Sequence, residues 1–85
     1  MTDLLRGESL LVPIANAASV TPSDTVDLST PSRQLFIGTG GNLKVTLLGG
    51  QTLTYTNVPS GADFPRRVVR VWATGTTATN IIAEW

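Results

Sequence analysis

The 85-residue chain has no cysteine and no histidine, sets six basic side chains against six acidic ones, and is only 14% charged. That composition excludes a disulfide framework, removes the usual ligands of zinc, haem, iron–sulfur and copper centres, and argues against general nucleic-acid binding, which needs clustered positive charge to displace counterions from phosphates. A domain this small buries only about 60–65% of its unfolded surface, so oligomerisation is the expected extra source of stability.

Residues 1–31 read as an extended N-terminal arm. They mix apolar residues with Ser, Thr and Asp and carry Pro13, Pro22 and Pro31 without lasting periodicity. Residues 4–11 offer at most one or two helical turns before Pro13 stops them. The apolar stretch "LLVPIANAA" is far short of the roughly 18 residues a membrane span needs. Asp3 and Glu8 around a lone Arg6 do not make the basic start of a signal peptide, so no membrane association is expected and cytosolic synthesis is. Leu10, Leu11, Val12 and Ile14 must pack on something, either the domain's own core or a partner, and are candidate interface residues. In "VTPSDTVDLS", Pro22 fixes φ while Ser23 and Asp24 favour local hydrogen bonds, which predicts a turn and then a short extended piece.

Residues 32–85 read as a β domain. Five runs of β-branched and aromatic residues, 34–38, 43–48, 52–58, 68–74 and 80–85, are punctuated by glycine clusters with no helical pattern between them. The expected fold is all-β, a small antiparallel sandwich or barrel of about five to seven short strands. Alternation also sets the turn at Gly49 and Gly50. A two-residue loop would oppose Leu47 to Thr52 and Val45 to Thr54, whereas a three-residue loop of Leu48, Gly49 and Gly50 pairs Val45 with Leu53 and Leu43 with Tyr55. The second register matches the apolar faces and gives Gly50 the left-handed position. Further on, strict alternation turns Val69, Val71 and Ala73 inward, Arg70 and Trp72 outward, and sets Ile81, Ala83 and Trp85 against Ile82 and Glu84.

The loop "GTGGN" invites a phosphate-binding reading and fails it. Leu43 stands where GxGxxG needs its last glycine, a strand follows instead of a helix, and no Lys-Ser or Lys-Thr pair completes a P-loop. It reads as a hairpin turn, and "ATGTTATN" as a second turn about Gly75. Asp24, Asp27, Asp63 and Glu84 match no calcium loop, and Asp24 and Asp27 are placed to satisfy turn amides. With no His to serve as base for a Ser or Thr nucleophile, no catalytic residue, cofactor site or metal site is assigned, and the chain is not expected to be an enzyme.

"FPRRVVRVW" holds half the basic residues, with an aromatic at each end. Such a strand can stack on single-stranded nucleic acid or sugars. Alternation puts Arg67 and Arg70 on opposite faces, which breaks a continuous basic stripe. Arg66, Arg67, Arg70 and Trp72 are therefore read as candidates for subunit contact, Arg and Trp being common at interface hot spots.

Three stretches in fixed order carry a family resemblance: "VTPSDTVDL", "LFIGTGGNLKVTLLGGQTLTYTNVPSG" and "RRVVRVWATGTTATNIIAEW". Together, over about three quarters of the chain and including the terminal Trp85, they resemble the spike base protein family of gene transfer agents and related tailed phages. The first 19 residues have no clear match. The resemblance implies a non-enzymatic virion component on the capsid surface, at fivefold vertices, that anchors a spike or fibre protein. Its implied partners are its own copies, a pentamer being favoured and a trimer the alternative, the major capsid protein, and the spike or fibre. Trp85 joins the interface candidates on this ground. The alternatives are a trimeric capsid-cementing protein and a glycan- or single-stranded-nucleic-acid-binding β module.

Overall fold

The computed structural model describes residues 14–85. These form seven strands: β1 Ala17–Ser19, β2 Gln34–Thr39, β3 Gly41–Leu47, β4 Thr52–Val58, β5 Ala62–Phe64, β6 Val68–Val71 and β7 Thr79–Glu84. They make two antiparallel sheets, one ordered β1-β7-β2-β5 and the other β4-β3-β6, so the fold is a small β-sandwich. Leu35 and Ile37 from β2, Leu43 and Val45 from β3, Val68 and Val71 from β6, and Ile81 and Ala83 from β7 fill the space between the sheets. In β2, β3 and β7 these residues recur every second position, as a strand with one buried face requires.

The β3–β4 hairpin has the three-residue loop that alternation demands. Val45 pairs with Leu53 and Leu43 with Tyr55. The Gly50 amide donates to the Leu47 carbonyl at 2.8 Å, and Gly50 has φ +99°.

The structure corrects two expectations. β2 and β3 are not a hairpin: they belong to different sheets, and the "GTGGN" turn carries the chain from one sheet to the other. The crossing needs glycine because backbones meet there. A Cβ on Gly38 would lie 2.6 Å from the Asn80 Cβ, and one on Gly40 would run into the Val58 carbonyl. The second correction concerns β6, which ends at Val71 and buries Val68 and Val71, not Val69, Val71 and Ala73. Thr46 pairs with Arg70 but Leu47 with Val68, so β6 carries an extra residue at a bulge and the inward positions are three apart.

Two short strands lie outside the five expected runs. β5 is three residues between turns, and β1 pairs with β7. Residues beyond β1 also hold to the sandwich: the amides of Ser23, Leu28 and Ser32 donate to the carbonyls of Val71, Val69 and Val68. They line the edge of β6 that β3 leaves open.

Candidate assembly surface

Five separate segments meet at one pole of the sandwich: residues 14–16, 32–34, 48–50, 66–68 and 84–85. Ser32 is its centre. Fully buried, it accepts the Val68 amide on its hydroxyl at 3.1 Å and donates that hydroxyl to the Arg66 carbonyl at 3.4 Å, tying the start of β2 to the start of β6. The Leu48 amide donates to the Arg67 carbonyl, and the Arg33 amide to the Glu84 carbonyl. The amides of Ala15 and Asn16 both donate to the Trp85 carbonyl, and the Trp85 amide returns a bond to Asn16. The pole thus gathers Arg33, Arg66 and Arg67, half of the six basic residues. Its carboxylate, Glu84, is engaged by the Gln34 amide group at 2.6 Å.

Of the candidate interface residues, Arg66 and Arg67 are exposed here, and Ile14 and Trp85 are half-buried beside one another's segments. The Arg66 guanidinium lies 5.5 Å from the Phe64 ring centroid. Leu10, Leu11 and Val12 lie outside the described residues.

Arg70 and Trp72 lie elsewhere, on the outer face of the β4-β3-β6 sheet, and both are engaged within the chain. Arg70 donates Nε to Asp27 at 2.7 Å and its terminal nitrogens to the carbonyls of Asp24 and Thr25. Trp72 donates its indole N–H to Thr46 at 2.9 Å, and its ring is flanked by Lys44 at 4.7 Å and Arg70 at 5.0 Å. Asp24 accepts the Thr74 amide at 2.8 Å and the Thr74 hydroxyl at 2.6 Å, which holds its carboxyl below the ordinary value of 3.8. This corrects the expectation that Asp24 and Asp27 satisfy local turn amides: the Ser23 hydroxyl accepts the Thr25 and Val26 amides, while Asp24 and Asp27 reach across the fold to Thr74 and Arg70. Among the described residues no three of His, Cys, Asp and Glu gather to hold a metal ion.

Alternation of the sequence did not expose one feature of this surface. β4 is an edge strand, with β3 as its one partner among the described residues. Its core-facing Leu53 is 49% exposed, as is Leu48 in the adjoining loop. The opposite sheet explains this. Its edge strand β5 is so short that it covers Tyr55, whose ring packs edge-on against Phe64 at 4.8 Å, and stops before Leu53.

No protein-family model matches the chain, and no curated protein matches it. Among solved structures, it is similar to a chain in the capsid of a native gene transfer agent (GTA) particle computed with C5 symmetry. The two share 44% sequence identity, the match covers 91% of this chain and 89% of that one, and the TM-score is 0.81.

Proposed function

We propose, for a chain that belongs to the family of that GTA capsid chain, a structural and non-enzymatic role on the capsid of a phage-like particle. There it assembles with its own copies into a base that anchors a spike or fibre. The observation that carries the reading is the 44% identity over about nine-tenths of both chains. The related chain comes from a capsid computed with C5 symmetry, an arrangement whose axis can carry a ring of five copies.

The physical character of the chain suits this role. A thin core and few charges leave much of its stability to be supplied by neighbours. In the proposed arrangement the pole with Arg66, Arg67 and Trp85 meets a neighbouring subunit or the major capsid protein. Individually weak contacts, repeated by symmetry, then hold the spike through avidity. Arg70 and Trp72 contribute by stiffening the outer face of the sheet.

The test is to add purified protein to particles that lack it and to image where it binds. Density at fivefold vertices beneath a spike supports the reading. Density at threefold or quasi-threefold positions would make the protein a cementing trimer, and failure to bind particles would overturn the capsid role.

A further inference from the structure

We infer that the open edge of β4 is the acceptor for the N-terminal segment of a neighbouring copy, which adds to the β4-β3-β6 sheet as an extra strand. The inference rests on the ring assembly proposed above and names the contact that closes it.

Among the described residues the edge has no strand beyond it, and it is regular from Thr52 to Tyr55, before an extra residue near Asn57, which has φ +57°, makes a bulge. Thr52–Val58 reads "TLTYTNV", seven residues with no charge and no proline, whereas protected edges carry lysine, proline or inward charge. Its free hydrogen-bonding groups follow from the register. The Leu47 amide donates to the Gln51 carbonyl, so alternate pairs, Val45 with Leu53 and Leu43 with Tyr55, bond across the hairpin. The amides and carbonyls of Thr52 and Thr54 then point away from β3. Beside them lies uncovered apolar surface, with Leu53 and Leu48 each 49% exposed.

The position of the chain's start supplies the occupant. Residue 14 is the first of the described residues, and the segment it opens bonds to Trp85 at the pole, on the β1-β7 edge. Leu53 lies at the same pole on the opposite edge, because Phe64 of β5 packs over β4 while β1 is at the far end of that sheet. One edge therefore sends out a segment and the other receives one, a head-to-tail relation that closes into a ring when the rotation permits. Residues 10–12 are only two to four residues from Ile14, about 7–14 Å of extended chain, so the exchange requires the sending edge of one copy to abut the receiving edge of the next. The segment also has the right pattern. As a strand, Leu10 and Val12 share a face and extend the uncovered apolar surface at Leu53, and the added strand completes the Thr52 and Thr54 hydrogen bonds.

The test uses the full-length chain, which has no native cysteine to interfere. Variants carrying one cysteine at Leu10, Leu11 or Val12 and a second at Thr54 or Thr56 are oxidised and run on non-reducing gels. The inference predicts a ladder of covalently linked chains from at least one pair. It also predicts that Thr54→Pro, which removes an outward amide, weakens assembly at least tenfold by mass measurement. Thr54→Val, which keeps that amide, assembles as the parent does. Circular dichroism checks that the Thr54→Pro chain is folded. Disulfides confined within single chains would overturn the exchange, as would a ring that forms with no ladder in any pair. In the second case the ring itself, and with it the proposed function, would stand. A full-length chain that never assembles would overturn both.

Discussion

Val45 and Leu53 face each other across the β3–β4 hairpin on the core side of the sheet, yet Val45 is fully buried and Leu53 is half exposed. Their truncations should therefore rank against side-chain size. In dilute, unassembled protein Val45→Ala should cost about 2–3 kcal/mol, from two buried carbons and the cavity left, while Leu53→Ala should cost about 1 kcal/mol although it removes more atoms. Denaturant unfolding measures both. Equal or reversed costs would mean that Leu53 is covered in the isolated subunit.

The loop of this hairpin offers a cleaner test of backbone geometry. Gly50→Val places its Cβ in open space, with nothing within 4 Å, so its leading effect is strain of a β-branched residue at φ +99°. It should destabilise by about 1–3 kcal/mol, lowering Tm by roughly 4–8 °C for each of those kcal/mol. Gly49→Ala contacts only the flexible Gln51 side chain and should leave Tm nearly unchanged. Thermal unfolding of the pair separates strain from crowding.

Ser32 joins the two halves of the pole through one hydroxyl. Ser32→Ala leaves the buried Val68 amide without its acceptor at 3.1 Å and should cost about 1–3 kcal/mol. Ser32→Thr keeps the hydroxyl but adds a methyl group to a site with no exposure. If Ser32→Ala unfolds at the parent's denaturant concentration, the hydroxyl does not join β2 to β6.

Asp24 sets an acid-sensitive contact. Its folded-state pKa is depressed by the Thr74 hydrogen bonds, so its contribution is complete above the ordinary value of 3.8 and is lost as pH falls below that through the lowered folded value. Asp24→Asn should flatten the decline of stability below about pH 4 and leave the slope between pH 6 and 8 unchanged. Tm as a function of pH, compared between parent and variant, reads this directly.

Period-two patterning showed an all-β sandwich or barrel and the hairpin register because β2, β3, β4 and β7 each have one side turned to the core, while the choice of sandwich came from the two separate sheets. The patterning gave the wrong inward face for β6 because one extra residue at the bulge shifts the phase by one position. β1 was hidden for a different reason. Its three residues are exposed and held by backbone pairing to β7, which leaves no apolar rhythm to detect. The "GTGGN" glycines look like turn residues whichever way the chain goes next, and only the contacts with Asn80 and Val58 reveal a crossing between sheets. The assembly pole was legible only in pieces. Arg66, Arg67, Ile14 and Trp85 were individually notable, but Ser32, which ties the Arg66 segment to the start of β2, carries no sequence signal, and the segments of Ile14 and Trp85 meet through backbone bonds alone.

The exposure of Leu53 and the edge position of β4 are the features that the proposed assembly would cover. The most direct test of the capsid-base account is the mass of the purified full-length chain in solution under native conditions. The account predicts a closed species of five chains, five times the 9.0 kDa subunit. A chain that remains at 9.0 kDa at every concentration tested would contradict it.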